Sequence, residues 1–257
     1  MQTNQIKEEI LHGKTVLGIE LGSTRIKAVL INSENQPIAQ GAHDWENTLL
    51  DGVWTYALDD VWKGIQSCFA SLQANIQHTY ALKLRRTKAL GVSAMMHGYL
   101  PFDSEGRQLA AFRTWRNTMT SQAAEELGTL FDYPVPERWS ISHLYQAILN
   151  KEEHVKDLGF LTTLAGYVHW QLTGNKVLGI GDASGMFPVD TKTGRYDTRM
   201  LKAFADLTRA YKFPWQLETV LPSILTAGDH AGNLTETGAL LIDPSGTLEA
   251  GIPLCPP

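Results

Sequence analysis

The sequence contains little cysteine and no large excess of charge of either sign, and each shortage excludes a class of protein. Cys68 and Cys255 are the only two cysteines among 257 residues, too few for a disulfide framework or a cysteine-rich zinc site. This usage is typical of a reducing compartment. A net charge of −5 gives no electrostatic basis for binding nucleic acid or an anionic membrane. We therefore expect neither as a partner.

Long apolar runs are missing as well. The first ten residues, MQTNQIKEEI, lack the apolar centre of a signal peptide. No run approaches the length that is needed to span a membrane. These absences predict a cytoplasmic protein. With 257 residues, the chain can bury a full core as one large domain or two small ones.

Several catalytic and nucleotide-binding motifs are absent or incomplete. The chain has no His-Glu-x-x-His pair for zinc and no Gly-x-Ser-x-Gly elbow for a nucleophilic serine. HGKT (12–15) ends like a phosphate-binding P-loop, but Glu8 stands where the first glycine belongs, and a strand follows the segment instead of preceding it. GIGDASG (179–185) begins like a dinucleotide fingerprint, but no helical pattern follows it. Neither segment predicts a nucleotide site.

Strand-forming patterns dominate the first 45 residues. TVLGIEL (15–21) and RIKAVLI (25–31) are rich in β-branched and apolar residues, and the short turn between them predicts a hairpin. NSENQP (32–37) is a second turn, so IAQGAHDW (38–45) is predicted to form a third strand. The opening of the chain therefore predicts an antiparallel meander of three strands.

A helix and another strand are predicted next. Asp59 or Asp60 can cap this helix. TKALGVSA (87–94) predicts a short buried strand, and DSEG (103–106) predicts a turn. The apolar stripe of the helix recurs every three or four residues and consists of Val61, Ile65, Phe69, Leu72 and Ile76.

The stretch from about residue 118 to residue 172 is predicted to be mostly helical. This stretch carries helical spacing in three segments, and Gly174 stands where a C-terminal cap should be. VLGIGDASGMFPVD (177–190) is predicted to be extended, and TRMLKAFADL (198–207) to form a short helix. A meander, a helix and a buried strand predict an α/β core with a mixed sheet flanked by helices. The strict alternation of a Rossmann fold is not present.

The turn between the first two strands carries chemistry. Glu20 ends the first strand, where a carboxylate can hold Mg²⁺ directly or through water. Gly22, Ser23 and Thr24 offer closely spaced backbone N–H groups and two hydroxyls to an anion. Lys27 follows on the second strand, within plausible reach of the same anion. An acid, a small polar turn and a cation together suit a metal-bound polyphosphate and phosphoryl transfer.

Acid-Leu-Gly-Ser-Thr-x-x-Lys between two apolar strands is similar to the start of the FGGY family of carbohydrate kinases. The likeness continues in order through SAMMHGYLPFD (93–103), RTWRN (113–117), the helical stretch 142–175 and GDASGMFPVD (181–190). The resemblance implies a ribonuclease H-like fold of the actin/hexokinase ATPase type. It also implies that residues 1–257 are the N-terminal, sugar-side domain of a kinase.

The resemblance implies a phosphate side with ATP and Mg²⁺ as cofactors. Glu20 takes the place of the metal-associated acid of the family. Gly22, Ser23 and Thr24 correspond to the phosphate turn, and Lys27 to the nearby cation. In the family the acid is usually Asp, so the carboxylate of Glu20 lies one methylene further out.

The sugar side is implied by the same resemblance. Met96, His97, Trp115 and Asn117 would line it, because a sugar needs hydroxyl partners and an apolar or aromatic face. His97 could instead be a core histidine and Trp115 a packing residue. Two further polar residues are expected to be structural, namely Asp182 and Ser184.

This chain departs from the family pattern on the sugar side. Met95 replaces the usual Gln, and the Trp-Asn-Asp stretch reads Trp115-Arg116-Asn117. These changes argue against assigning a substrate by analogy. The Met96–His97 pair favours a xylulose-like ketose.

The catalytic base is expected outside this sequence. In the family it is an Asp in a Gly-Asp motif, and the matching segment here would begin after Pro257. Asp229, in AGDHAG (227–232), precedes that segment and is not expected to be the base. The second, nucleotide-clamping domain is likewise not expected within these residues. We therefore expect the chain alone to have negligible kinase activity.

Two other functions stay open. The chain could be a natural half-kinase that binds a sugar or a partner without catalysis. It could also be an ATPase of the actin or chaperone type, although the sugar-side stretches argue against this. Expected partners are a small sugar or polyol, a missing C-terminal domain, or a second copy of the chain.

Overall fold

The computed structural model describes residues 2–257, and its centre is a four-stranded mixed sheet. The strand order is β3–β2–β1–β6, with the first three strands antiparallel and β6 parallel to β1. The strands are β1 Val16–Leu21, β2 Arg25–Ile31, β3 Pro37–Asp44, β4 Thr48–Leu50, β5 Val53–Thr55, β6 Ala89–Ala94, β7 Gly98–Phe102, β8 Arg113–Thr114, β9 Phe160–Thr162, β10 Val177–Gly179, β11 Val189–Asp190, β12 Arg195–Tyr196 and β13 Ser223–Leu225. The predicted meander and mixed α/β sheet are confirmed.

Helices flank this sheet and alternate with short strands in the second half of the chain. They are α1 Gln2–Leu11, α2 Leu58–Tyr80, α3 Ser121–Phe131, α4 Ser140–Leu149, α5 Leu164–Thr173, α6 Ile180–Ser184, α7 Thr198–Thr208, α8 Leu217–Val220 and α9 Glu236–Ile242. Two short 3₁₀ helices occupy Glu153–Asp157 and Arg209–Tyr211. Gly174 ends α5 in the left-handed conformation with φ 79°, as its position predicted. In residues 2–257 no helix combines the length and the apolar character needed to cross a membrane.

The two faces of the central sheet differ in what covers them. In β1, Leu17, Ile19 and Leu21 are buried in the main core, because alternate side chains of a strand point to one face. Helix α2 packs on this face through its predicted apolar stripe, all of which is buried. The opposite face leaves Gly18 and Glu20 exposed.

Two sequence predictions about these elements were wrong. Helix α2 is capped by Ala57, while Asp59 and Asp60 lie in its first turn. There their carboxylates face the positive end of the helix dipole, which is favourable without a cap hydrogen bond. The segment 177–190 is not continuously extended, because α6 interrupts it between two short strands.

The last residues of the chain join the central sheet. Leu90 N donates to Pro253 O at 2.9 Å, and Cys255 N donates to Leu90 O at 3.2 Å. These bonds place residues 253–255 parallel to β6, on its free edge. The sheet therefore continues in the order β3–β2–β1–β6–(253–255). Glu20 lies on its exposed face.

Candidate functional site

The turn between β1 and β2 is held from behind by two aromatic residues. Gly22 N donates to Arg25 O at 3.0 Å, which closes the turn. Trp45 Nε1 donates to Gly22 O at 2.7 Å, and Tyr56 OH donates to Ser23 O at 2.7 Å. The two rings stack with centroids 4.2 Å apart. The carbonyl groups of the turn are thus occupied by the scaffold, which leaves the exposed hydroxyls of its polar residues available to a ligand.

A cavity of about 540 Å³ opens beside this turn. Its walls bring the turn hydroxyls together with Trp115, which is 46% exposed. The Arg116 guanidinium lies 3.8 Å from the centre of the Trp54 ring and donates from Nη1 to Asn47 Oδ1 at 2.7 Å. The lining residues are Ser23, Thr24, Glu46, Asn47, Trp54, Trp115 and Arg116.

Sequence reasoning missed one wall of this cavity, the β4–β5 hairpin and the residues that flank it. The turn of this hairpin is Asp51-Gly52, and both residues have positive φ, 48° and 81°. Asp-Gly at a two-residue hairpin turn is a recognised sequence signal, because such a turn needs two left-handed residues. The signal was present in LLDGVW (49–54) and could have predicted the hairpin.

Glu20 and Lys27 lie in a different cavity from the turn hydroxyls. They are register partners on β1 and β2, and Glu20 also faces Ser93 of β6. Together with Gly18 and Cys255 they line a space of about 380 Å³ on the exposed sheet face. Glu20 and Lys27 were predicted to share one anion with the turn. They lie next to the turn along the strands, but they line the cavity on the exposed face of the sheet.

Glu20 fits a magnesium ion as a single ligand. Across residues 2–257, no group of three or more His, Cys, Asp or Glu side chains is placed to hold a metal. Mg²⁺ commonly keeps several waters and binds through one or two carboxylates plus substrate phosphates. One exposed carboxylate at the end of a strand suits that mode, and it does not suit an all-protein cage.

Met96 and His97 lie against Gly185 at the C-terminal end of α6, and they do not line the cavity of Trp115. Met96 is exposed, whereas the His97 ring is half-buried and its Nδ1 is buried without a partner in the described chain. A Cβ at Gly185 would lie 2.8 Å from that nitrogen, so the glycine permits close approach. Burial lowers the pKa of His97, with the charge of Arg138 adding to the effect, and the ring is neutral at pH 7.

Asn117 is buried and its amide is used within the fold. Its Oδ1 accepts from Trp54 N at 2.9 Å, and its Nδ2 donates to Trp54 O at 2.8 Å and to Thr114 O at 3.0 Å. The residue ties β5 to the end of β8. It orients the Trp54 wall of the cavity and does not line the cavity itself.

The other singled-out polar residues make local contacts. Asp229 accepts from N and Oγ1 of Thr226, both at 2.8 Å, which closes an exposed turn. Ser184 donates to Gly181 O at 2.6 Å. Asp182 accepts a hydrogen bond from Thr163 Oγ1. These contacts fit the structural roles expected for them.

Asp182 makes stability depend on pH. Burial raises its pKa to about 7, so the folded state keeps the proton while the unfolded carboxyl ionises from about pH 4. Stability is fully present below pH 4 and falls as pH rises to 7, by up to about 4 kcal/mol. Asp182→Asn is expected to raise the unfolding free energy at pH 7.5 and change it little at pH 4. Urea denaturation at both pH values measures this, and equal effects at both would contradict it.

Comparison with known proteins identifies the family. Residues 15–253 match the N-terminal domain of the FGGY family of carbohydrate kinases. The chain belongs to this family. Xylulose kinase of Staphylococcus xylosus is 21% identical over 230 residues, which cover 86% of this chain and 44% of that protein. Xylulose kinase of Escherichia coli K12 is 23% identical over 205 residues, 75% of this chain and 40% of that protein.

Solved structures of sugar kinases share the fold. Xylulose kinase of Rhodospirillum rubrum matches with a TM-score of 0.77 at 16% identity, covering 95% of this chain and 49% of that one. Gluconate kinase of Lactobacillus acidophilus matches at 0.76 and 16% identity, covering 94% and 47%. The predicted ribonuclease H-like fold is confirmed. The FGGY chain spans less than half the length of the curated relatives that it matches.

Proposed function

We propose that residues 1–257 form the sugar-side domain of an ATP-dependent carbohydrate kinase, which transfers the γ-phosphoryl group to a sugar or polyol hydroxyl. One observation carries the proposal beyond family membership. Ser23 and Thr24 of the phosphate turn line the same cavity as Trp115. A donor phosphate at the turn and an acceptor against the indole would then be neighbours, as in-line transfer requires.

The proposal assigns residues to the phosphate donor and to the metal ion. The N–H groups and hydroxyls of Ser23 and Thr24 would bind phosphate oxygens, Gly22 lets the anion approach the backbone, and Lys27 adds positive charge. Glu20 would hold Mg²⁺ directly or through water, and the ion would supply neutralisation of the phosphate charge. The base that takes the proton from the attacking hydroxyl, and most contacts to adenosine, would come from residues outside these 257.

A xylulose-like ketose is the proposed acceptor, and the cytoplasm the proposed location. Two relatives support the first, since both are xylulose kinases. The Met96–His97 pair favours the same class only through the family resemblance, because it lies outside the cavity of Trp115. Asn117 is withdrawn from direct contact by its bonds to Trp54. Two unpaired cysteines, one buried and one exposed, fit a reducing location.

Binding and turnover should separate in this chain. We expect xylulose to bind, because the cavity combines an exposed indole with hydrogen-bonding side chains, and Trp115→Ala to weaken binding about tenfold through loss of the stacking face. Calorimetric titration measures this, with Trp215→Phe, at an indole that lines another cavity, as a control. We expect sugar-dependent ADP release at background level. Turnover above background would contradict the second expectation, and unchanged affinity in Trp115→Ala would contradict the first.

A second candidate is a binding module without catalysis. Residues of this chain alone line a cavity with an exposed indole and hydrogen-bonding side chains, which are the groups that hold a sugar. A partner chain, a C-terminal domain or a second copy would then complete the cleft. Light scattering with and without sugar tests for a dimer. Hydrolysis of ATP without any sugar would instead favour an actin- or chaperone-type ATPase.

A further inference from the structure

The β4–β5 hairpin supplies the cavity with a preorganised wall. Asn117 bonds to both the N–H and the C=O of Trp54, at 2.9 and 2.8 Å, which fixes the backbone of Trp54 beside the end of β8. Arg116, from the same loop as Trp115, stacks on the Trp54 indole at 3.8 Å. Its guanidinium is also held by Asn47. A guanidinium with two such supports loses little freedom when a ligand binds.

Two charged side chains beside the hairpin, Arg116 and Glu46, bring hydrogen-bond donors and acceptors into the cavity. Arg116 has five N–H donors, of which one is bonded to Asn47, so others remain for a ligand. Glu46 lines the cavity with an exposed carboxylate, which only accepts hydrogen bonds. No ion pair joins Glu46 to Arg116 anywhere in the described chain. A hydroxyl can meet either group, since it both donates and accepts.

The charges of the wall decide which ligand it suits. Glu46 and Arg116 carry opposite charges into one cavity, so the net charge offered by the wall is zero. A ligand carboxylate attracted to Arg116 would also be repelled by Glu46, which lines the same cavity. A neutral polyol meets no such repulsion and finds the exposed indole of Trp115 as an apolar face.

We propose that Glu46 and Arg116 are a hydroxyl-binding pair that selects an uncharged polyhydroxy acceptor and rejects sugar acids. This inference rests on the proposed kinase function and deepens it. It assigns recognition of the acceptor to Glu46, which precedes the β4–β5 hairpin, and to Arg116, which stacks on Trp54 of that hairpin. The sequence alone gave neither residue a role in binding. Glu46 is the residue that sets the charge preference, because its removal leaves Arg116 unbalanced in the cavity.

The test compares xylulose with xylonate, which has the same number of carbons and a carboxylate. Calorimetric titration of the wild-type chain is expected to show binding of xylulose and at least tenfold weaker binding of xylonate. In Glu46→Gln, xylulose should bind about tenfold more weakly and xylonate about tenfold more tightly. In Arg116→Met, both should weaken. Glu34→Gln, at an exposed carboxylate in the β2–β3 turn, is the matched control and should change neither.

The outcomes separate this inference from the proposed function. If Glu46→Gln and Arg116→Met bind xylulose as tightly as the Glu34→Gln control does, the inference is overturned and the kinase proposal stands. Tighter binding of xylonate than of xylulose by the wild-type chain would do the same. If neither compound, nor any other sugar or polyol, binds the wild-type chain, the proposed function fails as well. A gain of xylonate binding in Glu46→Gln supports both.

Discussion

Replacing Gly41 by alanine is expected to destabilise the fold by about 3 kcal/mol or more, the upper range for overpacking. A Cβ at this position in β3 would lie 2.2 Å from Cys68 O and 2.5 Å from Leu72 N, both in the backbone of α2. Backbone atoms cannot rotate away as a side chain can, so the helix would have to move off the sheet. That movement would open the packing of the main core, where Cys68 and Leu72 are fully buried.

Gly18→Ala is the matched control for this substitution. Gly18 lies in β1 of the same sheet, but on the exposed face, and a Cβ there would meet nothing within 4 Å. Alanine at this position should leave stability unchanged or raise it slightly, because it reduces the freedom of the unfolded chain. Urea denaturation of the three proteins gives the comparison. Similar midpoints for Gly41→Ala and wild type would show that α2 is not seated on β3 in this way.

Replacing His143 by leucine is expected to make the fold markedly more resistant to acid. His143 lies on the buried α4, next to Tyr99, with its ring 6.3 Å from the phenol ring. Both of its nitrogens are buried without a partner in the described chain. Burial, reinforced by the charge of Arg113, lowers the pKa of His143 to about 3. The folded state therefore cannot take up the proton that the unfolded chain binds near pH 6.5.

The sign of the effect follows from this difference. Above pH 6.5 both states are neutral at this side chain and the histidine contributes nothing to pH dependence. As pH falls from 6.5 towards 3, only the unfolded state gains a proton, so stability is lost at about 1.4 kcal/mol per pH unit. At pH 5 the loss is about 2 kcal/mol. Leucine removes this loss and leaves no unpaired polar atom at position 143.

The measurement is the difference in unfolding free energy between His143→Leu and wild type, at pH 7.5 and pH 5. Other titrating groups, including Asp182, cancel in that difference. We expect the variant to gain about 2 kcal/mol more at pH 5 than at pH 7.5. His230→Leu, at an exposed histidine, should show no such change. A difference independent of pH would mean that His143 is protonated or hydrated in the folded state.

Local patterns were sufficient to predict the strands of the central sheet and the main helix of this FGGY domain. The β-branched and apolar content of β1 and β2, with small polar residues between them, predicted the hairpin, and the stripe along α2 predicted its buried face. Where local signals were weak, prediction failed. The short α6 spans only five residues, too few for a helical period to show, and the cap of α2 is the apolar Ala57, which no capping rule selects.

Residues that are close together in the chain were enough to predict the family, the meander, the main helix and the polar turn between β1 and β2. Which side chains share a space depended on the tertiary structure. Ser23, Trp54 and Arg116 are far apart in sequence and line one cavity, while Lys27, four residues from Ser23, opens onto another. The physical reason is that a strand sends alternate side chains to opposite faces, whereas a cavity is built by whichever segments the packing of the core brings to one edge.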